Sequence, residues 1–204
     1  MLKGIRTKRS DLTGLEAFAL TQGGYFDRGD AHAHGITDRL LHYHTSTGRF
    51  ERLYAGIYRL RNAPPAAHDD LLLAWVWSNY RGAISHESAL ALYDLSDVMP
   101  SRVHITVPPT FRRRSTNFDV HFSIVPADDL MLYEGVQVTA PARSIVDAAS
   151  SGSDPAQIQR AVLQAVERGL ATPSALHMAA RRPRYRYRRV IQPLVEGALA
   201  RASA

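Results

Sequence analysis

The chain has 204 residues, of which 45% are hydrophobic and 22% charged, a balance typical of globular proteins that excludes a disordered or collagen-like chain. It contains no cysteine, which excludes disulfides and thiol catalysis, and no apolar run near the roughly 20 residues of a membrane span, so we expect a cytoplasmic protein without a signal peptide. The net charge of +6 is uneven: residues 1–62 carry +4, residues 63–154 carry −5 and residues 155–204 carry +7, and basic segments suit a phosphate backbone.

Residues 1–62 have the predicted element order of a winged helix-turn-helix. In chain order the predicted elements are a helix over 11–22, a short strand at 25–26, a helix over 28–33 capped by Asp27, a helix from Thr37 to about Thr47, and a hairpin of strands 50–53 and 57–60. The turn between the second and third helices contains Gly35, and the hairpin follows directly. This order, together with the positive charge, favours DNA binding, and the alternative is a small winged domain used only for protein contacts.

A second domain is predicted after residues 63–67, because Pro64 and Pro65 resist both helix and strand and so indicate a linker. Its predicted helices span 68–80, 86–93, 142–149, 155–168, 173–180 and 187–199, and its predicted strands span 103–107, 119–124 and 136–139. We therefore predict an α+β protein, with a winged helix-turn-helix over residues 1–62 and a mixed, helix-rich α/β domain over residues 68–204. The arginine run from Arg112 to Arg114 is expected on a hairpin tip between the first two of these strands.

The third helix is the candidate reader of the DNA major groove. Two stripes of side chains compete for the core, one with Ile36, Leu40 and Tyr43 and the other with Thr37, Leu41 and His44. Burial of the second stripe fits the packing of the two helices better. The contacts to DNA predicted from this helix are then Thr37, Asp38, Arg39, His42, Tyr43 and Ser46.

Arginines in and beside the hairpin suggest a second set of DNA contacts. We predict that Arg49, Arg52 and Arg59 contact backbone phosphates, which positions the domain without specifying a sequence. The alternative is a solvated hairpin edge whose charges discourage aggregation between strands.

The sequence offers no support for an enzyme, a cofactor or a metal site. His42 and His44 lie two residues apart on a predicted helix, so their side chains point in different directions and do not form a zinc site. Ser85 and His86 are explained by a helix N-cap and first turn, since consecutive residues do not form a catalytic triad. There is no glycine-rich phosphate loop, and neither lysine lies in the second domain, where a nuclease site would need one.

Residues 181–189 contain six arginines and two tyrosines. Such a cluster suits nucleic acid, an acidic protein partner, or a solvated loop that leads into a helix, and the sequence does not decide among the three. The candidate partner-binding residues are Arg184, Tyr185, Arg186, Arg188 and Arg189.

Three blocks of the chain resemble the family of AbiEi-type antitoxins. The first runs from Gly35 to Arg39 and on through Gly48 to Leu60, and it ends in Gly-Ile-Tyr-Arg-Leu. The second is Ile84 to Leu90, and the third is Val138 to Asp147, with the sequence Val-Thr-Ala-Pro-Ala-Arg-Ser-Ile-Val-Asp. The strand 103–107 resembles a further block of the same family. Together these segments cover nearly the whole chain in the family's order.

The resemblance implies the antitoxin of a type IV, abortive-infection toxin–antitoxin system. Its winged helix would bind inverted repeats in the promoter of its own operon and act as a repressor, and its C-terminal domain would counteract a nucleotidyltransferase-like toxin. The alternative function is a stand-alone winged-helix transcription regulator whose second domain senses a ligand or forms dimers.

Overall fold

The computed structural model describes residues 9–181 and 188–202, and contacts along the chain divide it into two compact units, Met1–Tyr80 (unit 1) and Arg81–Ala204 (unit 2). Both units contain helices and strands, which confirms the predicted α+β fold class. Within the described residues, no helix is both long enough and apolar enough to cross a membrane.

Unit 1 has the elements of a winged helix in the predicted order. They are α1 (Leu12–Leu20), β1 (Tyr25–Asp27), α2 (Arg28–Ala33), α3 (Asp38–Ser46), β2 (Phe50–Tyr54), β3 (Ile57–Leu60) and, after them, α4 (Asp69–Trp77). The three strands form an antiparallel sheet with β3 in the centre. Asp27 caps α2 as predicted: its carboxylate accepts a hydrogen bond from the Asp30 backbone N–H at 2.9 Å, and the Asp30 carboxylate accepts one from the Asp27 N–H at 2.7 Å.

The core of unit 1 lies between helices α1–α3 and the sheet. Phe26 packs edge-on against Phe50, with ring centroids 5.0 Å apart, and stacks on Tyr58 at 5.6 Å, so each strand contributes one ring. Leu15 of α1 and Leu41 of α3 are buried in the same cluster. Full burial of side chains this large contributes about 1.5–3 kcal/mol each, so this cluster holds α3 in a defined position against the sheet.

Helix α4 groups with unit 1, whereas the sequence interpretation began the second domain at His68. The reason is a hydrogen-bond network at the end of α4. The Tyr80 hydroxyl donates to the Asp30 carboxylate and accepts a hydrogen bond from the Gln22 side-chain amide at 2.9 Å. The proline pair therefore lies inside unit 1, and the boundary between the units follows Tyr80.

Unit 2 is built on a five-stranded mixed sheet with the strand order β6-β5-β4-β8-β7. Its elements are β4 (Ala83–Ile84), α5 (His86–Leu92), β5 (Val103–Val107), β6 (Phe118–Phe122), β7 (Leu130–Tyr133), β8 (Val136–Thr139), α6 (Pro141–Ser151), α7 (Pro155–Glu167), α8 (Pro173–Arg181) and α9 (Arg188–Ala202). The sequence prediction lacks β4 and β7. Two residues are too few for a periodic signal in β4, and the turn that pairs β7 with β8 places Glu134 at a positive φ of 46°, an uncommon conformation for a residue other than glycine.

Strands β5 and β6 pair in parallel, so the prediction of a hairpin tip at Arg112 to Arg114 is wrong. A two-residue hairpin joins antiparallel strands only, and parallel neighbours need a longer crossover connection. The three arginines are exposed on that connection.

The interior of unit 2 contains a paired arginine. Arg143 of α6 has a side chain only 3% exposed, and its guanidinium donates hydrogen bonds to Asp147 at 2.6 Å and to Asp129 at 3.1 Å. Beside it, the hydroxyls of Thr139 and Ser144 lie 2.7 Å apart. The Val138 to Asp147 block therefore joins the end of β8 to α6 through buried polar contacts.

Candidate nucleic-acid interface

Helix α3 turns one face to the core of unit 1 and the other to solvent. Leu41 is buried, and the ring of His44 is half-buried against Phe50, with ring centroids 5.1 Å apart. Burial lowers the pKa of His44, so this imidazole is neutral at pH 7. The predicted burial of Leu41 is therefore confirmed and that of His44 in part, but Ile36 of the competing stripe is buried in the core as well.

The opposite face of α3 is exposed, and it carries the residues predicted to contact DNA: Thr37, Asp38, Arg39, His42, Tyr43 and Ser46. Thr37 begins the helix, because its hydroxyl accepts a hydrogen bond from the Leu40 N–H at 3.4 Å. Of the residues that the structure describes, none forms an ion pair with Arg39. A guanidinium exposed on a groove-sized helix has the geometry to donate two hydrogen bonds to guanine.

Asp38 differs from the other residues of this face. Its carboxylate pairs with Arg28 of α2, whose Nε lies 2.8 Å from Oδ1, and with His32 Nε2 at 2.9 Å. The hydrogen bonds from Arg28 and His32 hold the pKa of Asp38 below its usual range. This residue therefore links α2 to α3, and its negative charge faces the Arg28 guanidinium and the His32 ring within the protein.

The wing arginines Arg49, Arg52 and Arg59 lie in different environments, of which the first two are on the surface. Arg52 of β2 is exposed, and its Nε lies 3.4 Å from the Tyr54 carbonyl oxygen. Arg49 is about half exposed and pairs with Glu16 of α1 at 2.7 Å. Arg52 is thus the wing arginine best placed for a phosphate, and Arg49 would have to share its guanidinium with Glu16.

Arg59 differs from the expectation of a surface cation. Its side chain is 18% exposed, and its guanidinium donates to the Gly23 carbonyl at 3.2 Å and to the Pro64 carbonyl at 2.9 Å. It also lies 3.6 Å from the Asp69 carboxylate and 5.2 Å from the centre of the Tyr25 ring. Arg59 therefore connects β3 to the start of α4 and is committed to the interior contacts of unit 1.

The proposed partner-binding cluster falls largely outside the described structure. Arg184, Tyr185 and Arg186 lie outside the described residues, and Arg188 and Arg189 belong to the first turn of α9.

One group of polar side chains was missed by the sequence analysis. Among the described residues, the group that could hold a metal ion is His86, His104 and His121 of unit 2, and not the histidines of unit 1. These three residues come from α5, β5 and β6. No short-range spacing signals the cluster, because the pairing of the two strands and the start of α5 bring them together.

Two family models match the chain. A transcriptional regulator model of the AbiEi antitoxins matches residues 15–61, which correspond to the winged helix of unit 1. The model of the AbiEi antitoxin C-terminal domain matches residues 82–196, more than half of the chain and most of unit 2. The stretch between the two matched ranges contains α4.

The fold is also similar to that of a solved protein. The crystal structure of the RV2827C protein from Mycobacterium tuberculosis superposes with a TM-score of 0.62 at 15% sequence identity, covering 96% of this chain and 80% of that chain. At this identity the likeness concerns the fold alone. No curated protein matches the chain.

Proposed function

The chain belongs to the AbiEi antitoxin family, and we propose that it represses its own operon by binding inverted repeats in the promoter through unit 1, and counteracts a nucleotidyltransferase-like toxin through unit 2. This is the activity of a type IV antitoxin. The observation that supports DNA binding most strongly is the exposed polar face of α3, with Arg39 at its start, opposite the buried Leu41.

The proposal assigns different tasks to the helix and the wing. Arg39 on α3 enters the major groove and reads base edges, together with the neighbouring His42 and Ser46. Arg52 on the wing contacts a backbone phosphate, which adds affinity on any duplex but no sequence preference. Arg49 adds to the wing contact only where a phosphate replaces Glu16 as its partner.

Substitution of these two arginines tests the DNA half of the proposal. In fluorescence anisotropy titrations with the full chain, Arg39→Ala should lose about 1–3 kcal/mol on promoter DNA and little on random duplex. Arg52→Ala should weaken both duplexes and lower the salt slope of the binding constant by about 0.9, as expected for one lost phosphate contact. Arg201→Ala, an exposed cation of unit 2, is the matched control. Equal losses of specificity in the Arg39 and Arg52 variants would contradict the assignment.

For the toxin half, the chemistry of residues 184–189 supports an interface with an acidic surface. Arginine and tyrosine are the residues that most often anchor protein interfaces, and a charge reversal there replaces attraction by repulsion. The acidic stretch 63–154 offers a second surface, which would suit a basic toxin.

The toxin half of the proposal is tested by co-expressing the chain with the toxin and measuring whether cell growth is rescued. A variant with Arg184, Arg186, Arg188 and Arg189 changed to Glu should lose rescue while it keeps promoter binding. The control reverses Arg112, Arg113 and Arg114 to Glu, three exposed arginines on another connection of the same unit. If the first variant still rescues growth, the toxin contact lies elsewhere. If the unaltered chain binds DNA but gives no rescue, a stand-alone transcription regulator is the better description.

A further inference from the structure

Three histidines of unit 2 meet on one side of its sheet. His104 lies on β5 and His121 on the adjacent parallel strand β6, and the register pairs His104 with Asp119 and Thr106 with His121. Alternation along each strand therefore places both histidines on the same face. His86 is the first residue of α5, and the backbone N–H of Ser85 donates to the His104 carbonyl oxygen at 3.1 Å, which holds the start of α5 against β5.

The three imidazole rings are in direct contact. The ring of His86 stacks on that of His121 with 3.5 Å between centroids, and His104 lies 5.3 Å from His121 and 5.8 Å from His86. Nδ1 of His104 is 3.0 Å from Nε2 of His121, and one ring nitrogen from each residue lies within 4.8 Å of the other two. Nitrogens bound to one zinc ion at about 2.0–2.1 Å lie closer together than this limit, so the rings must move together and reorient to reach a shared ion.

A hydroxyl orients one of the three rings, and a carboxylate lies near a second. Nδ1 of His86 is 2.8 Å from the Ser85 hydroxyl, which in turn accepts a hydrogen bond from the Thr106 hydroxyl at 2.8 Å. Nε2 of His104 faces the Asp119 carboxylate at 3.7 Å. Histidines that bind metals characteristically use one nitrogen for the ion and hold the other against an oxygen atom in this way.

Two of the three histidines are accessible from solvent, whereas His86 is buried behind them. His104 and His121 line a cleft of about 360 Å³ together with Glu87, Asp119 and Ser153. Ser153 donates a hydrogen bond to the Glu87 carboxylate at 2.6 Å, so an acidic oxygen is held at the rim. The cleft gives an ion a route in, and it leaves room for a water or a carboxylate as a fourth ligand.

We propose that His86, His104 and His121 form a binding site for a divalent transition-metal ion of the zinc class. Imidazole ligands favour zinc, copper, nickel and iron over magnesium and calcium, which prefer oxygen. The ion would displace the proton shared by His104 and His121. Since the rings lie within 12–25° of parallel, and an ion sits in the plane of each ring that binds it, binding requires rotation of at least one ring about χ2. The proposal does not rest on the proposed DNA contacts of unit 1 or on toxin contacts of residues 184–189.

Zinc binding to the full chain tests this site directly. An untagged protein is freed of metal with a chelator, and zinc chloride alone is titrated in equilibrium dialysis with elemental analysis. We expect one bound zinc per chain, no competition from a hundredfold excess of magnesium, and tetrahedral absorption bands when cobalt replaces zinc. Less than half an equivalent of zinc at saturation would overturn the proposal.

Variants then locate the ion. His104→Ala and His121→Ala should each weaken zinc binding at least tenfold, and Asp119→Asn, which removes only the carboxylate behind His104, should weaken it about 10–100-fold. His177→Ala, which removes a part-exposed histidine of α8, should leave the affinity unchanged. Far-UV circular dichroism checks that each variant is folded, and Asp119→Asn carries the test if a histidine variant is not. Zinc binding that survives in all folded variants of the cluster would refute the site.

Discussion

Two groups of ion pairs, one from each unit, differ in their exposure to solvent. In unit 1 the ion pair of Arg28 and Asp38 lies on the surface, with both side chains 58% exposed, next to the face of α3 that we assign to DNA. In unit 2 the pairs of Arg143 with Asp129 and Asp147 lie in the interior, with side chains at most 10% exposed.

This difference distinguishes charges that are available to bind a ligand from charges that stabilise the fold. A surface pair contributes little to stability, because water screens both partners, and the arginine is free to exchange its carboxylate partner for a phosphate. A buried pair does not exchange in this way, since removal of one partner leaves an uncompensated charge in the interior. We therefore expect substitution of Arg28 or Asp38 to change the affinity for DNA, and substitution of Arg143 to change stability.

The largest effect is expected for Arg143→Ala. It leaves Asp129 and Asp147 buried without their cation and should lower the free energy of unfolding by about 3–5 kcal/mol. Both tryptophans of the chain, Trp75 and Trp77, belong to α4 of unit 1, so their fluorescence reports on that unit. Unfolding of this variant is therefore followed by far-UV circular dichroism, whose transition in urea titrations should shift to lower urea.

The matched control is Arg102→Ala, which removes an arginine 53% exposed that lies 3.5 Å from Asp119. A pair of this kind contributes about 0–1 kcal/mol. Similar losses in the two variants would contradict the distinction between surface and buried charge.

A smaller effect is expected for Tyr80→Phe in unit 1. The change removes the hydroxyl that donates to Asp30 and accepts from Gln22, and burial raises the pKa of both Tyr80 and Asp30. Hydrogen bonds to charged groups contribute about 1.5–3 kcal/mol, so the tryptophan fluorescence midpoint should move to lower urea.

Tyr43→Phe is the control, because its ring is 57% exposed on α3, and it should change stability by less than about 0.5 kcal/mol. An unchanged fluorescence midpoint in Tyr80→Phe would show that this network does not attach the end of α4 to unit 1.

Local signals in the sequence predicted unit 1 well. The caps at Asp27 and Thr37 and the turn at Gly56 act within a few residues, so the helices and the hairpin appear close to their predicted positions. The burial of Leu41 in α3 also followed from periodicity. The role of Arg59 could not be predicted. In the sequence it looks like a surface cation, but in the structure the Pro64 carbonyl and Asp69, both from the segment after the hairpin, enclose its guanidinium.

Long-range contacts account for the misses in unit 2. The parallel pairing of β5 with β6 is fixed by neighbours in the sheet, and its consequence is the histidine cluster, whose members lie 17 and 18 residues apart in the sequence. Ser85 shows the same limit. Its position predicts an N-cap, but its hydroxyl forms no cap hydrogen bond and instead lies between His86 and Thr106.

The smallest effect, and the sharpest test of the surface pair, is expected for Asp38→Asn. Loss of the carboxylate releases Arg28, which is then free to contact a phosphate, so the salt slope of DNA binding should steepen by about 0.9. Glu51→Gln removes one negative charge from the same unit and is the matched control, because equal steepening in both would indicate net charge rather than the release of Arg28.

The pH dependence of stability tests the same surface pair in a second way. The pKa of Asp38 is lowered in the folded chain by Arg28 and His32, so its stabilisation is present above its unfolded pKa of about 3.9 and is lost as the pH falls through the folded value. Urea midpoints of the wild type and Asp38→Asn should therefore differ above about pH 4 and converge in more acidic solution. A difference that grows on acidification would contradict the assignment of Asp38 to the surface pair.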